Sequence, residues 1–118
     1  NLNELCTSVS YNLPIITLLL NNEVLGMVRQ WQTLFYEKRY SATVLNDAVD
    51  FVKLAEAMGA VGIRAATREE FQKAFQEALA MGRPVVIDCQ IDSDEKVWPM
   101  VAPGAAISEA FSEEDLEK

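Results

Sequence analysis

The sequence predicts an α/β domain, a three-layer αβα arrangement with a mostly parallel sheet. Three observations carry this. Continuous apolar runs at 15–20 and 84–89 suit strands covered on both faces, as parallel strands are. Between the strand candidates lie stretches with apolar residues at the three-and-four spacing of a helix. Strands alternating with such helices are the pattern of right-handed βαβ units.

The elements follow in order. A first helix is expected over 1–11, entered without a cap, with Leu2, Leu5, Cys6 and Val9 on its buried face. Asn12-Leu13-Pro14 ends it, because proline lacks the N–H a helix needs. The 15–20 strand comes next, then a second helix over 24–38 with Met27, Trp31, Leu34 and Phe35 on one side. A polar connection over 40–46 leads to Asp47, the expected cap of a helix burying Phe51, Val52, Ala55 and Met58. Gly59 supplies its left-handed stop, and a short strand follows over 61–63. Thr67-Arg68-Glu69-Glu70 is a capping box, in which hydroxyl and carboxylate satisfy the first free N–H groups reciprocally. Its helix is expected to bury Phe71, Ala74, Phe75, Ala78 and Leu79 and to stop at Gly82.

The pattern changes at Asp94. Residues 97–104 are apolar but hold two prolines, so no regular element is expected, and the acidic 109–118 stretch is expected to fray. The chain therefore divides into an α/β part, 1–93, and a C-terminal segment with an acidic tail, 94–118. There is no internal repeat and no low-complexity segment.

Composition excludes several classes. At 118 residues the chain has the length of one small domain, and half its residues are hydrophobic, against disorder. A formal net charge of -8 disfavours nucleic acid, which demands clustered Lys and Arg. Lys38-Arg39 reads instead as the cationic end of a helix. No apolar run approaches the ~20 residues that span a bilayer, and no signal peptide opens the chain. Cys6 and Cys89 stand far apart in apolar settings, which suits buried inert thiols in a reducing cytoplasm. Histidine is absent, so Ser-His-Asp and Cys-His catalysis are excluded within the chain. Any chemistry must use carboxylates, amides, backbone groups or a cofactor.

Three features could carry it. Asn21-Asn22 follows a strand, where ligands sit in parallel sheets, and an amide oxygen is a hard neutral donor for Mg²⁺ or Ca²⁺. Two asparagines can equally just turn the chain. Met27, Val28 and Trp31 can form one apolar wall, of a core or of a pocket. The 98–104 segment either packs as ordinary tail or closes over something.

Here the residues become specific. Asn21-Asn22 after a strand resembles the end of the thiamine diphosphate motif, which begins with Gly-Asp-Gly; that first half is expected just upstream of Asn1. More narrowly, the chain resembles the large catalytic subunit family of acetolactate synthase (acetohydroxyacid synthase). The pieces are Asn1-Leu2-Asn3-Glu4-Leu5, Tyr11-Asn12-Leu13-Pro14, Leu20-Asn21-Asn22-Glu23 and Leu25-Gly26-Met27-Val28-Arg29-Gln30-Trp31-Gln32. Leu34-Phe35-Tyr36-Glu37, Arg39-Tyr40-Ser41, Asp50-Phe51-Val52-Lys53-Leu54-Ala55, Gly82-Arg83-Pro84-Val85-Val86-Ile87-Asp88, Pro99-Met100-Val101 and Pro103-Gly104 continue it over nearly the whole chain.

The resemblance implies a fold, the C-terminal part of a thiamine diphosphate-binding domain, and an activity. Two pyruvates, or pyruvate and 2-ketobutyrate, would condense with loss of CO2 in branched-chain amino acid biosynthesis. It implies that the amide of Asn22 and the main-chain carbonyl of Val24 are Mg²⁺ ligands, the carboxylate coming from the upstream Gly-Asp-Gly. Gly26 would allow a tight entry beside the diphosphate, with Met27 also at the cofactor. Met27, Val28 and Trp31 would line the substrate channel. There the indole gains contact with the extra methylene of 2-ketobutyrate, worth ~1–3 kcal/mol. The 98–104 segment would fold over the occupied site and exclude water. FAD, a homodimer or tetramer and a regulatory small subunit are implied for the whole enzyme, whose activating glutamate lies in another domain. No catalytic residue falls in these 118 residues, which alone are expected to be inactive. Ala42 and Ala102 depart from the family, which often has histidine and proline there. Another thiamine diphosphate-dependent 2-keto acid carboligase or decarboxylase, or a non-catalytic self-associating module, are the alternatives.

Overall fold

A computed structural model describes residues 2–45 and 49–116. Among these run α1 (Leu2–Ser10), β1 (Ile16–Asn21), α2 (Gly26–Phe35), α3 (Phe51–Ala57), β2 (Val61–Ala65), α4 (Arg68–Met81) and β3 (Val85–Gln90). Two single 3₁₀ turns, Ile107–Glu109 and Glu113–Asp115, follow. They fall into two compact units. One comprises Asn1–Asn22 and Asn46–Asp92, the other Glu23–Leu45 and Ser93–Lys118. This partition rests on packing alone.

The first unit is the α/β layer structure. Its three strands are all parallel in the order β1-β3-β2, with Ile16 and Val61 both opposite Val85. β3 enters last yet lies between the other two, which parallel crossovers permit. On one face Val85, Ile87 and Cys89 of β3 and Ala65 of β2 pack with Ala74 and Ala78 of α4, flanked by Phe71 and Phe75. On the other face sit α1 and α3, bordering an apolar cleft of about 430 Å³ with Thr17, Leu19 and Val86.

The local signals explain the helices. Thr67 Oγ1 accepts from Glu70 N–H at 3.2 Å while the Glu70 carboxylate accepts from Thr67 N–H at 3.3 Å, and Gly82 closes α4 at φ 59°. α3 is capped by Asp50, whose carboxylate accepts from Lys53 N–H at 3.1 Å. The cap expected at Asp47 lies outside the described residues; Asp50 is nearer the first helical turn and does that work. Gly59 takes the left-handed conformation as expected, φ 87°.

Gly62 sets how closely α3 approaches the sheet. A Cβ there would stand 2.6 Å from the Val52 carbonyl oxygen, a backbone atom that cannot swing aside. Gly62→Ala is therefore expected to push α3 off β2 and destabilise the chain by about 1–3 kcal/mol. Urea denaturation measures it, and an unchanged midpoint would contradict the close packing.

Several expectations are corrected. The 15–20 run is not covered on both faces: Leu18 and Leu20 are exposed, Leu20 at 68 %. β1 is an edge strand of the described sheet, and α4 covers β2 and β3 rather than β1. Cys6 is exposed, whereas Cys89 is buried. Burial, then the adjacent Asp88 charge, raises the Cys89 thiol above its ordinary pKa. Leu79 is exposed because it lies about 100° around the helix from Ala78, off the buried face.

In the second unit α2 is shorter than the spacing suggested. Val24 pairs with Val44 instead of joining the helix, and Glu37 and Lys38 adopt positive φ beyond its end. Lys38-Arg39 is thus no helix terminus. Residues 97–104 form no helix or strand, as their prolines require. The acidic tail does not fray as far as 116: Phe111 pairs with Met100 through main-chain bonds of 2.8 Å each way. Its ring packs edge-on against Phe35 and Trp98.

Candidate functional site

Parallel strands finish at a common edge, and ligands of such sheets collect outside it. In the first unit that edge carries Asn21, Ala65 and Gln90. Asn21 and Asp88 share one sheet face as diagonal neighbours, since Asp88 is opposite Leu19 and side chains alternate. The Asn21 amide donates to Asp88 Oδ1 at 3.0 Å, and Arg64 Nε donates to Oδ2 at 3.3 Å. Asp88 is 1 % exposed, so these bonds compensate a buried carboxylate on the central strand. Arg64 also reaches Asp50 Oδ1 at 2.9 Å. The Lys53 N–H bond, with help from Arg64, holds the Asp50 carboxyl below its usual range, and Asp88 and Asp50 hold Arg64 protonated more firmly still.

This separates the two asparagines. Asn21 is part of β1 and its amide is committed to Asp88. Asn22 is the first residue past the strand, and Glu23 then turns the chain at φ 57°.

In the second unit Val24 is buried and sits opposite Val44. The flanking bonds, Leu25 N–H to Thr43 O at 2.8 Å and Leu45 N–H to Glu23 O at 3.0 Å, make this a non-hydrogen-bonded pair. In that geometry the N–H and C=O of Val24 point away from Val44. Beside it the Thr43 hydroxyl is buried with no hydrogen-bond partner among the described residues, a cost of ~1–3 kcal/mol unless a polar group meets it. Within this unit, the outward-turned carbonyl at 24 and the hydroxyl at 43 are oxygen donors of the kind a hard cation takes. No cluster of three or more Asp, Glu, Cys or His that could hold a metal exists among the described residues.

Gly26 opens α2, and Met27, Val28 and Trp31 line one open cleft of about 660 Å³ with Gln32, Tyr36 and Arg39. Met27 and Val28 are each about half exposed. Trp31 is half-buried and meets Phe35 edge-on, ring centroids 5.5 Å apart. Arg29 bonds Asp94 at 2.7 Å and lies 4.2 Å over the Tyr40 ring. That bond holds the Asp94 carboxyl below its usual range. Sequence reasoning missed two polar residues here. Asp88 stands within an apolar strand run, and Gln30, 3 % exposed, stands between Arg29 and Trp31 with nothing local to mark it. A strand-interior carboxylate was the available signal.

Residues 1–89 match the family described as thiamine pyrophosphate enzyme, C-terminal TPP binding domain. Among curated relatives, the acetolactate synthase large subunit of Haemophilus influenzae is 41 % identical over all of this chain and 21 % of its own length. The acetolactate synthase of Mycobacterium leprae is 50 % identical over 90 % of the chain and 18 % of its own length. The mitochondrial acetolactate synthase catalytic subunit of Saccharomyces cerevisiae is 46 % identical over 92 % of the chain and 16 % of its own length. The chain thus spans about a fifth of the first of these relatives and less of the others. Among solved structures, the thiamine diphosphate-dependent 4-hydroxybenzoylformate decarboxylase of Rhodococcus jostii RHA1 superposes with a TM-score of 0.70 at 30 % identity. That match covers 80 % of this chain and 18 % of the other. Among the described residues no helix is long and apolar enough to cross a membrane. Parallel sheet, strand-end asparagines and sequence agree, and the chain belongs to the thiamine pyrophosphate enzymes, in the family of their C-terminal TPP binding domain.

Proposed function

We propose that these residues act within an acetolactate synthase large subunit. That enzyme joins two pyruvates, or pyruvate and 2-ketobutyrate, with loss of one CO2. The observation that carries the reading is the identity of 41–50 % to acetolactate synthases, against 30 % to the decarboxylase of the solved structure. The decarboxylase remains the reason to keep a second thiamine diphosphate-dependent 2-keto acid chemistry as the alternative.

In this reading the Asn22 amide oxygen and the Val24 carbonyl hold Mg²⁺, supported by the commitment of Asn21 to Asp88 and by the outward-turned Val24 carbonyl. The third, anionic ligand comes from an upstream Gly-Asp-Gly. Thiamine diphosphate, when bound, would supply the carbon nucleophile, and Mg²⁺ held by Asn22 and Val24 would offset its phosphate charge. Gly26 and Met27 lie along the cofactor. Met27, Val28 and Trp31 form the substrate wall, supported by their shared cleft. Residues 1–93 bind and 94–118 close. The whole enzyme carries FAD elsewhere, assembles as a homodimer or tetramer, accepts a regulatory small subunit and works in the cytoplasm, in accord with two free cysteines.

The test is product analysis with the whole subunit, pyruvate, 2-ketobutyrate, Mg²⁺ and thiamine diphosphate. Acetolactate is expected, and Trp31→Leu is expected to lower the share of the 2-ketobutyrate product by about 10-fold or more, the worth of a methylene contact. An unchanged ratio speaks for a different carboligase. The 118 residues alone are expected to form no acetolactate.

A further inference from the structure

α2 carries more than the wall residues. Gln30 on it is almost fully buried, and both ends of its carboxamide are used. Nε2 donates to the Val97 carbonyl at 2.9 Å, and Oε1 accepts from the Val97 N–H at 2.8 Å. One side chain thus makes both rungs that a neighbouring strand would make to that residue. Val97 itself is 61 % exposed, so its main chain, not its side chain, ties the segment down. The next residue, Trp98, packs edge-on against Phe111 at 5.9 Å, Phe111 against Phe35 at 6.3 Å, and Phe35 against Trp31 at 5.5 Å. A row of four aromatic rings therefore runs from the residue beside the latch to the back of Trp31.

We propose that Gln30 is a positioning residue for acceptor choice. By clamping Val97 it fixes Trp98 and Phe111, which brace Phe35 and so hold the Trp31 indole at the substrate cleft. This rests on the reading of Trp31 as the acceptor-discriminating wall, but the clamp can be tested apart from it. The chemistry explains why glutamine stands there. A leucine would bury as well but would leave the Val97 N–H and C=O without these partners. A glutamate keeps the shape and the acceptor but sets a carboxylate oxygen against the Val97 carbonyl, so one rung is lost and the other kept. Arg29, one residue earlier, fastens Asp94 independently at 2.7 Å, so losing the Gln30 bonds loosens 97–98 without releasing 94.

Two measurements on the whole subunit test this. Hydrogen exchange is read in peptides covering residues 94–100, and the ratio of 2-ketobutyrate product to acetolactate is read from mixed substrates. Gln30→Met is expected to speed exchange at Val97 by at least about 10-fold and to lower the product ratio by about 3-fold or more. Gln30→Glu, which keeps one rung, is expected to fall between Met and the unaltered enzyme in both; it also serves if Gln30→Met does not fold. Phe111→Leu is expected to lower the ratio without speeding Val97 exchange. Unchanged exchange in both Gln30 variants overturns the clamp. Faster exchange with an unchanged product ratio, while Trp31→Leu still shifts it, overturns the positioning role and leaves the reading of Trp31 standing. Absence of acetolactate from the unaltered subunit is the separate failure of the functional reading.

Discussion

Asn22→Ala in the whole subunit is expected to weaken Mg²⁺-dependent thiamine diphosphate binding by at least about 100-fold. Residues that merely orient a metal ligand are worth 10–100-fold when altered; removing the ligand itself should cost no less. Asn21→Ala is the informative contrast. Its amide is bonded to Asp88, so its loss is expected to lower stability by about 1–2 kcal/mol while leaving the metal shell intact. Direct titration of the cofactor separates the two. A larger affinity loss at 21 than at 22 would reverse the assignment of the pair.

The second large effect is expected at Asp88. Replacing it by alanine removes a carboxylate that is bonded from both neighbouring strands at the centre of the sheet. It removes the acceptor that Asn21 and Arg64 share and leaves a void, and the expected loss is about 2–4 kcal/mol by urea denaturation. Asp88→Asn preserves the volume and one acceptor and should cost less. Equal losses for the two variants would mean that the void contributes nothing and that the loss lies in the carboxylate and its bonds. Because Asn21 closes β1, Asp88→Ala is also expected to weaken cofactor binding more than Gly62→Ala does, although both destabilise the fold.

What the sequence made legible follows from range. α4 could be placed because its determinants are adjacent: Thr67 with Glu70 at one end and Gly82 at the other. β1, β2 and β3 were legible as strands from their apolar runs, and their parallel pairing followed from the helices between them. Which strand lies at an edge was not legible. The order β1-β3-β2 is fixed by pairings between distant residues, so nothing local marks Leu18 and Leu20 as uncovered. The same holds for the polar residues. Asn21 and Asp88 are 67 positions apart, as are Gln30 and Val97, and no spacing rule joins them. The cap of α3 is Asp50, which Arg64 also binds from β2, a contact between positions 14 apart that no local rule announces. The tail was read from its charge alone, and the aromatic contacts of Phe111 outweigh that charge.

In the proposed function, Asn22 and the Val24 carbonyl hold the metal that anchors thiamine diphosphate. Isothermal titration of thiamine diphosphate into the whole subunit tests it most directly, with Mg²⁺ or with a chelator, for the unaltered and Asn22→Ala enzymes. Binding is expected only for the unaltered enzyme with Mg²⁺ present. Undiminished, Mg²⁺-dependent binding by Asn22→Ala would contradict it.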